Sequence, residues 1–314
     1  MLGSTYPIVQ GGMMWVGTAQ LAAAVSNGGG FGIITALTQP TPEALWEEIG
    51  RCRTLTDRPF GVNLTMLPTI NPPPYERYLE TIVRARVTAI ETAGKVPPEF
   101  IATAKAAGLK VIHKCVSLRH ALSAQKHGAD AISIDGFECA GHPGDDDVGG
   151  MVLIPAAARR LSVPIIASGG IGDGRGMAAA LTLGADGVNM GTRFCATREA
   201  PIHDNIKQAL VAASERDTRL IFRTMHNTAR VLRNSISEAV VAAEAKGCQF
   251  DDIRHLVAGQ RGREALLDGN PDGGVIAAGQ VVGLIDDVPT CAELIERMVS
   301  ECRERLRHVT ACFH

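Results

Sequence analysis

The chain has 314 residues, of which 46% are hydrophobic and 20% charged, with a formal net charge of −2. That length accommodates a (β/α)₈ barrel of about 250 residues plus an added region. The charge balance gives no basic excess for nucleic acid or an anionic membrane surface, so a small-molecule ligand is expected. The opening segment M-L-G-S-T-Y-P-I-V-Q-G-G carries no basic stretch leading into an apolar run. No later stretch is apolar over the roughly 18 residues of a membrane span, and a cytoplasmic location is the expectation. The eight cysteines are scattered, with no C-x-x-C pair and no histidine at zinc spacing. They read as reduced structural thiols, and no metal site is expected.

In chain order, Pro7–Gln10 reads as a short strand that breaks at Gly11-Gly12, and Thr18–Ser26 as a helix stopped by Asn27-Gly28-Gly29-Gly30. Phe31–Thr35 is the second strand. Thr41-Pro42-Glu43 then combines an N-cap, a first-turn proline and an early acid, predicting a helix to about Leu55. Phe60–Leu64 is the third strand, and Leu67–Tyr75, with Pro68, Pro72, Pro73 and Pro74, reads as a loop long enough to be a lid. Alternation continues through strands Thr88–Glu91, Lys110–His113 and Ala131–Ile134, with helices at Tyr75–Arg86, Pro98–Ala107 and Ser117–His127. The polar, glycine-dense loop E-C-A-G-H-P-G-D-D-D-V-G-G follows, then a helix near Pro155–Leu161.

Pro164–Ala167 and Gly187–Met190 are the last two strands, ending in Ser168-Gly169-Gly170 and Gly191-Thr192. Glycine lets backbone N–H groups approach an anion, and the two hydroxyls add donors, so the paired loops predict one phosphate site. Eight strands with helical crossovers predict a closed parallel barrel, in which loops seven and eight are the usual phosphate site. A doubly wound sheet is the alternative, but no G-x-G-x-x-G follows the first strand. Beyond Ala200 the strand pattern gives way to helical spacing, predicting an all-helical subdomain over 213–298, with 1–212 and 299–314 forming the barrel. A last amphipathic helix near Thr290–Leu306 is expected to pack back on the barrel.

If the barrel holds, residues just after each strand face the ligand. These include Gly12, Met13, Thr35, Asn63, Glu91, Thr92, Lys114, Asp135, His142, Ser168, Gly170, Gly191 and Thr192. Lys114 is placed to neutralise an electron-rich ring or anion. His142, flanked by glycines in an open loop, suits a general base or hydrogen-bond donor. His113, one residue from Lys114, is expected to point the other way and be structural. Asp145-Asp146-Asp147 reads as a solvated turn.

The segments I-V-Q-G-G-M, F-G-V-N-L, V-I-H-K-C, S-I-D-G-F-E-C-A-G-H-P-G, A-S-G-G-I, N-M-G-T-R-F and A-G-Q-V-V-G-L-I together resemble the nitronate monooxygenase (2-nitropropane dioxygenase) family. The resemblance implies a barrel holding FMN, its phosphate at Ser168, Gly170, Gly191 and Thr192. The ring is then contacted by Gly12, Met13, Asn63, Lys114, Asp135 and Ala140, with Gly141 and Met190 adjoining, and His142 matches the family's active-site histidine. The leading expectation is oxidation of alkyl nitronates with O2 to a carbonyl compound and nitrite. The alternative is FMN-dependent NADH:quinone oxidoreduction, with NADH as co-substrate, because Pro68–Pro74 and E-C-A-G-H-P-G-D-D-D look like that subgroup. The tyrosines that relatives with nitronate activity carry in the later part of the chain are missing, since Tyr6, Tyr75 and Tyr78 are the only ones. An FMN-dependent enoyl-acyl carrier protein reductase and a non-catalytic flavin-binding protein are further readings.

Overall fold

The protein is described by a computed structural model covering residues 1–67 and 72–313. Eight parallel strands close into a barrel in sequence order: β1 (Ile8–Gln10), β2 (Phe31–Thr35), β3 (Phe60–Met66), β4 (Ala89–Gly94), β5 (Lys110–Cys115), β6 (Ala131–Asp135), β7 (Ile165–Ser168) and β8 (Gly187–Met190). The seam is the β1–β8 pairing, Ile8 opposite Val188 and Gln10 opposite Met190. Seven crossover helices cover the outside: α1 (Ala19–Asn27), α2 (Pro42–Leu55), α3 (Tyr75–Ala85), α4 (Pro98–Ala106), α5 (Leu118–Lys126), α6 (Gly150–Ala158) and α7 (Gly174–Thr182). The caps act as their sequences predict. Thr41 accepts from Ala44 N at 3.1 Å to open α2, and Ser117 accepts from His120 N at 3.4 Å to open α5.

The two-residue period of the strands sorts their side chains into two cores. Val9, Phe31, Ile33, Ala89, Ile112, Ala131 and Ile166 form a cluster of their own inside the barrel, while Ile34, Val62, Ile90, Val111, Ile132, Ala167 and Val188 pack outward under the helices. Two residues further along each strand, the same inward parity delivers Asn63, Glu91, Lys114, Ser133, Asp135, Ser168 and Asn189 to the C-terminal mouth. The barrel register sets them side by side: Asn63 opposite Glu91, Lys114 opposite Ser133, Asp135 opposite Ser168, and Ser168 opposite Asn189.

The expectations are met at all eight strands and corrected in three places. Helix α6 begins at Gly150, with Pro155 inside it, rather than near Pro155. Its opening turn is capped from a distance, because both carboxylate oxygens of Glu138 accept from Gly150 N at 3.0 Å. The added region is not all helical. Thr218–Ile221 (β9) and Ala229–Leu232 (β10) pair antiparallel, their inward Ile221, Ala229 and Val231 packing with Val240 and Ile253 in a separate small core. Around the hairpin lie α8 (Thr192–Cys195), α9 (Asp204–Ala212), α10 (Ser235–Glu244), α11 (Phe250–Val257) and α12 (Gly259–Asp268). The third correction is that a single helix, α13 (Cys291–Ala311), runs across the expected 298/299 boundary. It is opened by a capping box between Thr290 and Glu293 and packs against α7 and α1. It therefore takes the seat of the eighth barrel helix, and the added region is an insertion between β8 and that helix. Gly174 permits the close fit, since a Cβ there would run into Glu301 and the carbonyl of Met298.

No helix among the described residues is long and apolar enough to cross a membrane. The cysteines are all free thiols, and no group of residues with metal-binding geometry occurs among those described.

Candidate active site

A cavity of about 840 Å³ opens at the C-terminal mouth of the barrel. It is lined by Gly12, Met13, Thr35, Asn63, Lys114, Asp135, Ala140, Gly141, His142, Ser168, Gly170, Met190, Gly191 and Thr192 of the candidates singled out from the sequence, but not by Glu91 or Thr92. Its volume lies in the upper part of the range of about 300–1,000 Å³ typical of ligand sites. The lid expectation falls mainly on 68–71, outside the described residues.

The floor is a buried polar network centred on Glu91, which has no solvent exposure. Its carboxylate accepts from Gly12 N at 2.8 Å, from Asn63 Nδ2 at 2.8 Å and from Asn189 Nδ2 at 3.1 Å. Asn189 Nδ2 also donates to Ser133 Oγ at 3.1 Å, and Thr65 donates to Asn63 Oδ1 at 3.0 Å. Glu91 is thus a brace for the loop after β1 rather than a group facing a ligand, and Asn189 emerges as its second clamp. Thr35 does the same for the next residue, accepting from Met13 N at 2.8 Å and donating to Met13 O at 3.0 Å.

Lys114 stands above this floor, its Nζ 3.8 Å from Asp135 Oδ2. Burial works against its charge, but Asp135 and Glu91 outweigh burial, so the ammonium is held above its usual range and stays protonated at neutral pH. The second carboxylate oxygen of Asp135 is buried without a hydrogen-bond partner among the described residues. A buried acceptor of this kind calls for a donor from a ligand. His113 points outward as expected, its Nδ1 2.8 Å from Thr92 Oγ1, and burial followed by His120 and His127 lowers its pKa to about 4.

The loops after the last two strands lie side by side at the cavity. Gly169 and Gly170 have φ of +90° and +72°, a left-handed turn that glycine takes without strain. The amides of Gly170 and Thr192 donate to no acceptor among the described residues. The Thr192 hydroxyl accepts from Gly279 N at 3.0 Å, which leaves its own proton free to donate. Arg193, in the same motif, points away and is fully buried against Asp287, 2.6 Å from Oδ1, fixing α8 to the segment before α13. The paired loops thus offer donors, with the Glu138 carboxylate beside Gly170 engaged by Gly150 N, and together with the orphaned Asp135 oxygen they fit a phosphate-bearing ring cofactor.

On the opposite rim, His142 follows Gly141, whose φ is +72° and where a Cβ would meet open space. The residue is exposed at the mouth of the cavity, and partial desolvation by the protein atoms around it lowers its pKa. It is accordingly neutral at pH 7. Cys139, the loop's thiol, is buried, and burial, ahead of Asp135, pushes its pKa up, so it is not poised as a nucleophile.

A closed parallel barrel with glycine-rich loops after its last two strands, and a lysine and a histidine lining the same cavity, defines a barrel with its candidate site at the C-terminal mouth. The chain belongs to the nitronate monooxygenase family, whose profile matches residues 1–82 and 69–301. It is 34% identical to a (3aS,4S,5R,7aS)-5-hydroxy-7a-methyl-1-oxo-octahydro-1H-indene-4-carboxyl-CoA dehydrogenase of Rhodococcus jostii, over 98% of this chain and 95% of the relative. A probable nitronate monooxygenase of Bacillus subtilis is 30% identical over 95% and 96% of the two chains. Among solved structures, FabK from Thermotoga maritima superposes with a TM-score of 0.92 at 35% identity, covering 99% of this chain and 96% of that one. A nitroalkane oxidase from Streptomyces ansochromogenes superposes with a TM-score of 0.85 at 29% identity, covering 98% of each chain. The protein is an oxidoreductase of this family.

Proposed function

We propose that this oxidoreductase binds FMN and passes electrons from NADH to a quinone. FMN, when bound, supplies a ring that accepts a hydride from one substrate and returns electrons to another. Ser168, Gly170, Gly191 and Thr192 hold the phosphate, Gly12, Met13, Asn63 and Ala140 border the ring, and Asp135 accepts from it. Lys114, kept protonated, places a fixed positive charge where negative charge develops.

The observation that carries this reading over nitronate oxidation is the character of the substrate side of the cavity. Its described walls are wide and largely apolar, including Met14, Leu37, Met66, Leu67, Val96 and Ile276, and no tyrosine is among them. Tyr78 instead donates to Gln39 O at 2.8 Å, under the helices. A small anionic nitronate finds few groups to orient it there, whereas flat, extended substrates match the space. The likeness of E-C-A-G-H-P-G-D-D-D to the NADH:quinone reductase subgroup points the same way. Nitronate oxidation is the second reading, favoured by the family profile and by His142, neutral and facing the cavity, as a base. The dehydrogenase relative makes a hydroxyacyl-CoA thioester a third substrate class to test.

The deciding experiment mixes oxidised, flavin-loaded protein anaerobically and separately with NADH, NADPH, propyl nitronate and a hydroxyacyl-CoA, following flavin absorbance. Rapid bleaching by NADH with reoxidation by a quinone is expected. Bleaching by the nitronate with nitrite release in air, and none by NADH, would replace this reading with the second. Bleaching by the thioester alone would replace it with the third.

A further inference from the structure

The loop that carries His142 is held from outside the barrel, and one residue of the inserted hairpin holds it at two points. Arg230, on β10, is buried. Its main chain forms an isolated antiparallel bridge with Gly141: Gly141 N donates to Arg230 O at 3.1 Å, and Arg230 N donates to Gly141 O at 2.6 Å. Its side chain reaches back to the start of the same loop. Nε and Nη2 donate to Phe137 O at 3.3 and 3.0 Å, and the guanidinium lies 4.7 Å from the centre of the Phe137 ring. Nη1 donates to Thr218 Oγ1 on β9 at 3.1 Å, which fixes the guanidinium plane. The turn from Phe137 to Gly141 is therefore gripped at both ends by one residue, and His142 is the next residue along.

Neighbouring contacts reinforce the grip without duplicating it. Thr228, two residues before Arg230, donates to Asp145, and Arg223 in the hairpin turn pairs with Asp147 at 2.8 Å. The pair Arg223–Asp147 is exposed, so it adds little. Arg230 is different. It forms no ion pair among the described residues; its buried guanidinium is held by carbonyl, hydroxyl and ring partners, with Glu138 and Asp147 acting on it only through space. A desolvated charge spent on backbone carbonyls is costly to keep and strongly directional, which suits it to fixing a loop in one geometry.

We infer that Arg230 is a positioning residue for His142, setting the location of the imidazole from the inserted hairpin. The inference rests on the reading of His142 as an active-site group, but its test does not depend on which substrate is oxidised. Without the guanidinium, the Phe137 end of the turn is released, and the imidazole one residue past Gly141 loses its fixed place at the cavity.

The test uses the purified full chain with its flavin as isolated, in Arg230→Met, Arg230→Lys and Thr218→Val forms. Histidine NMR titration, with the His142 signal assigned by its absence from His142→Asn, reads the imidazole pKa. Amide exchange reads Gly141. Arg230→Met should change the His142 titration, as the imidazole leaves its fixed place, and speed exchange at Gly141 by about tenfold or more. Arg230→Lys, which keeps one donor for Phe137 O, should restore part of both. Thr218→Val, which frees the guanidinium plane but leaves its charge, should move both readings the same way by less. A folded Arg230→Met protein with an unchanged His142 titration and unchanged Gly141 exchange would overturn the inference. Should Arg230→Met fail to fold, unchanged readings in Thr218→Val would overturn it equally. Loss of NADH oxidation as the function would leave these readings where they are.

Discussion

Gly191→Ala separates the phosphate cradle from the fold that carries it. Gly191 has φ −112°, a value any L-residue adopts, so the substitution introduces no backbone strain. A Cβ there meets, within the protein, only the side chain of Met13, with Sδ at 3.4 Å and Cγ at 3.7 Å, ordinary van der Waals separations that a flexible thioether accommodates. Stability should therefore change by no more than about 0.5 kcal/mol. On the proposed FMN site, the methyl group would instead intrude on the cavity beside the Thr192 amide, where the phosphate would be held. Losing one hydrogen bond to a charged group costs about 1.5–3 kcal/mol, which corresponds to roughly 10- to 100-fold weaker FMN binding. Titration of the apoprotein, following quenching of FMN fluorescence, gives the dissociation constant, and a thermal melt of the same apoprotein gives the stability. An unchanged FMN affinity would refute the cradle, and a large loss of apoprotein stability would refute the claim that the site is open there. Gly170→Ala makes a poor substitute, because at φ +72° it adds strain to any loss of ligand.

His142→Asn should leave flavin reduction by NADH within about tenfold, since the imidazole removes no proton from that donor, while turnover of neutral nitroalkanes, where measurable, falls by roughly two to four orders of magnitude and preformed nitronates are spared. Stopped-flow bleaching with each donor reads the difference. The buried His113 makes the fold acid-sensitive. Its folded pKa of about 4 lies below that of a free histidine near 6.5, so the unfolded chain binds more protons and stability falls as the pH drops from about 6.5 to about 4. The full effect is at most about 3 kcal/mol, and urea unfolding at pH 7 and 4.5 should show His113→Gln losing less over that interval than the parent.

The barrel is legible from sequence because its signals are local. Each strand is a short apolar run ended by glycine or a polar residue, and the two-residue period alone sends Lys114 to the mouth and His113 to the outside. The two glycine-rich loops at the cavity are legible for the same reason, as both follow directly from strand ends. What escapes notice depends on partners distant in sequence. Glu91 looks like one more strand-end residue facing a ligand until Gly12, Asn63 and Asn189 are seen to converge on it. The start of α6 is set by Glu138, which no local cap signal announces. The hairpin β9–β10 turns through left-handed Phe222 and His226 rather than an Asn-Gly or Asp-Gly pair, so the usual mark of a two-stranded turn is missing. Arg230 reads as an ordinary charged residue of a short segment, and only the fold brings it to Phe137 and Gly141.

Placing the eighth barrel helix after the insertion separates the making of the barrel from its closure during synthesis. Once Met190 has left the ribosome all eight strands exist, yet the flank between α1 and α7 stays bare until the segment around Ile295 and Met298 has been translated. In that interval the nascent chain presents the apolar sides of two helices and an uncovered strand seam, surface of the kind that recruits holding chaperones and promotes association between neighbouring polysomal chains. The last amphipathic helix then acts as the bolt of the barrel.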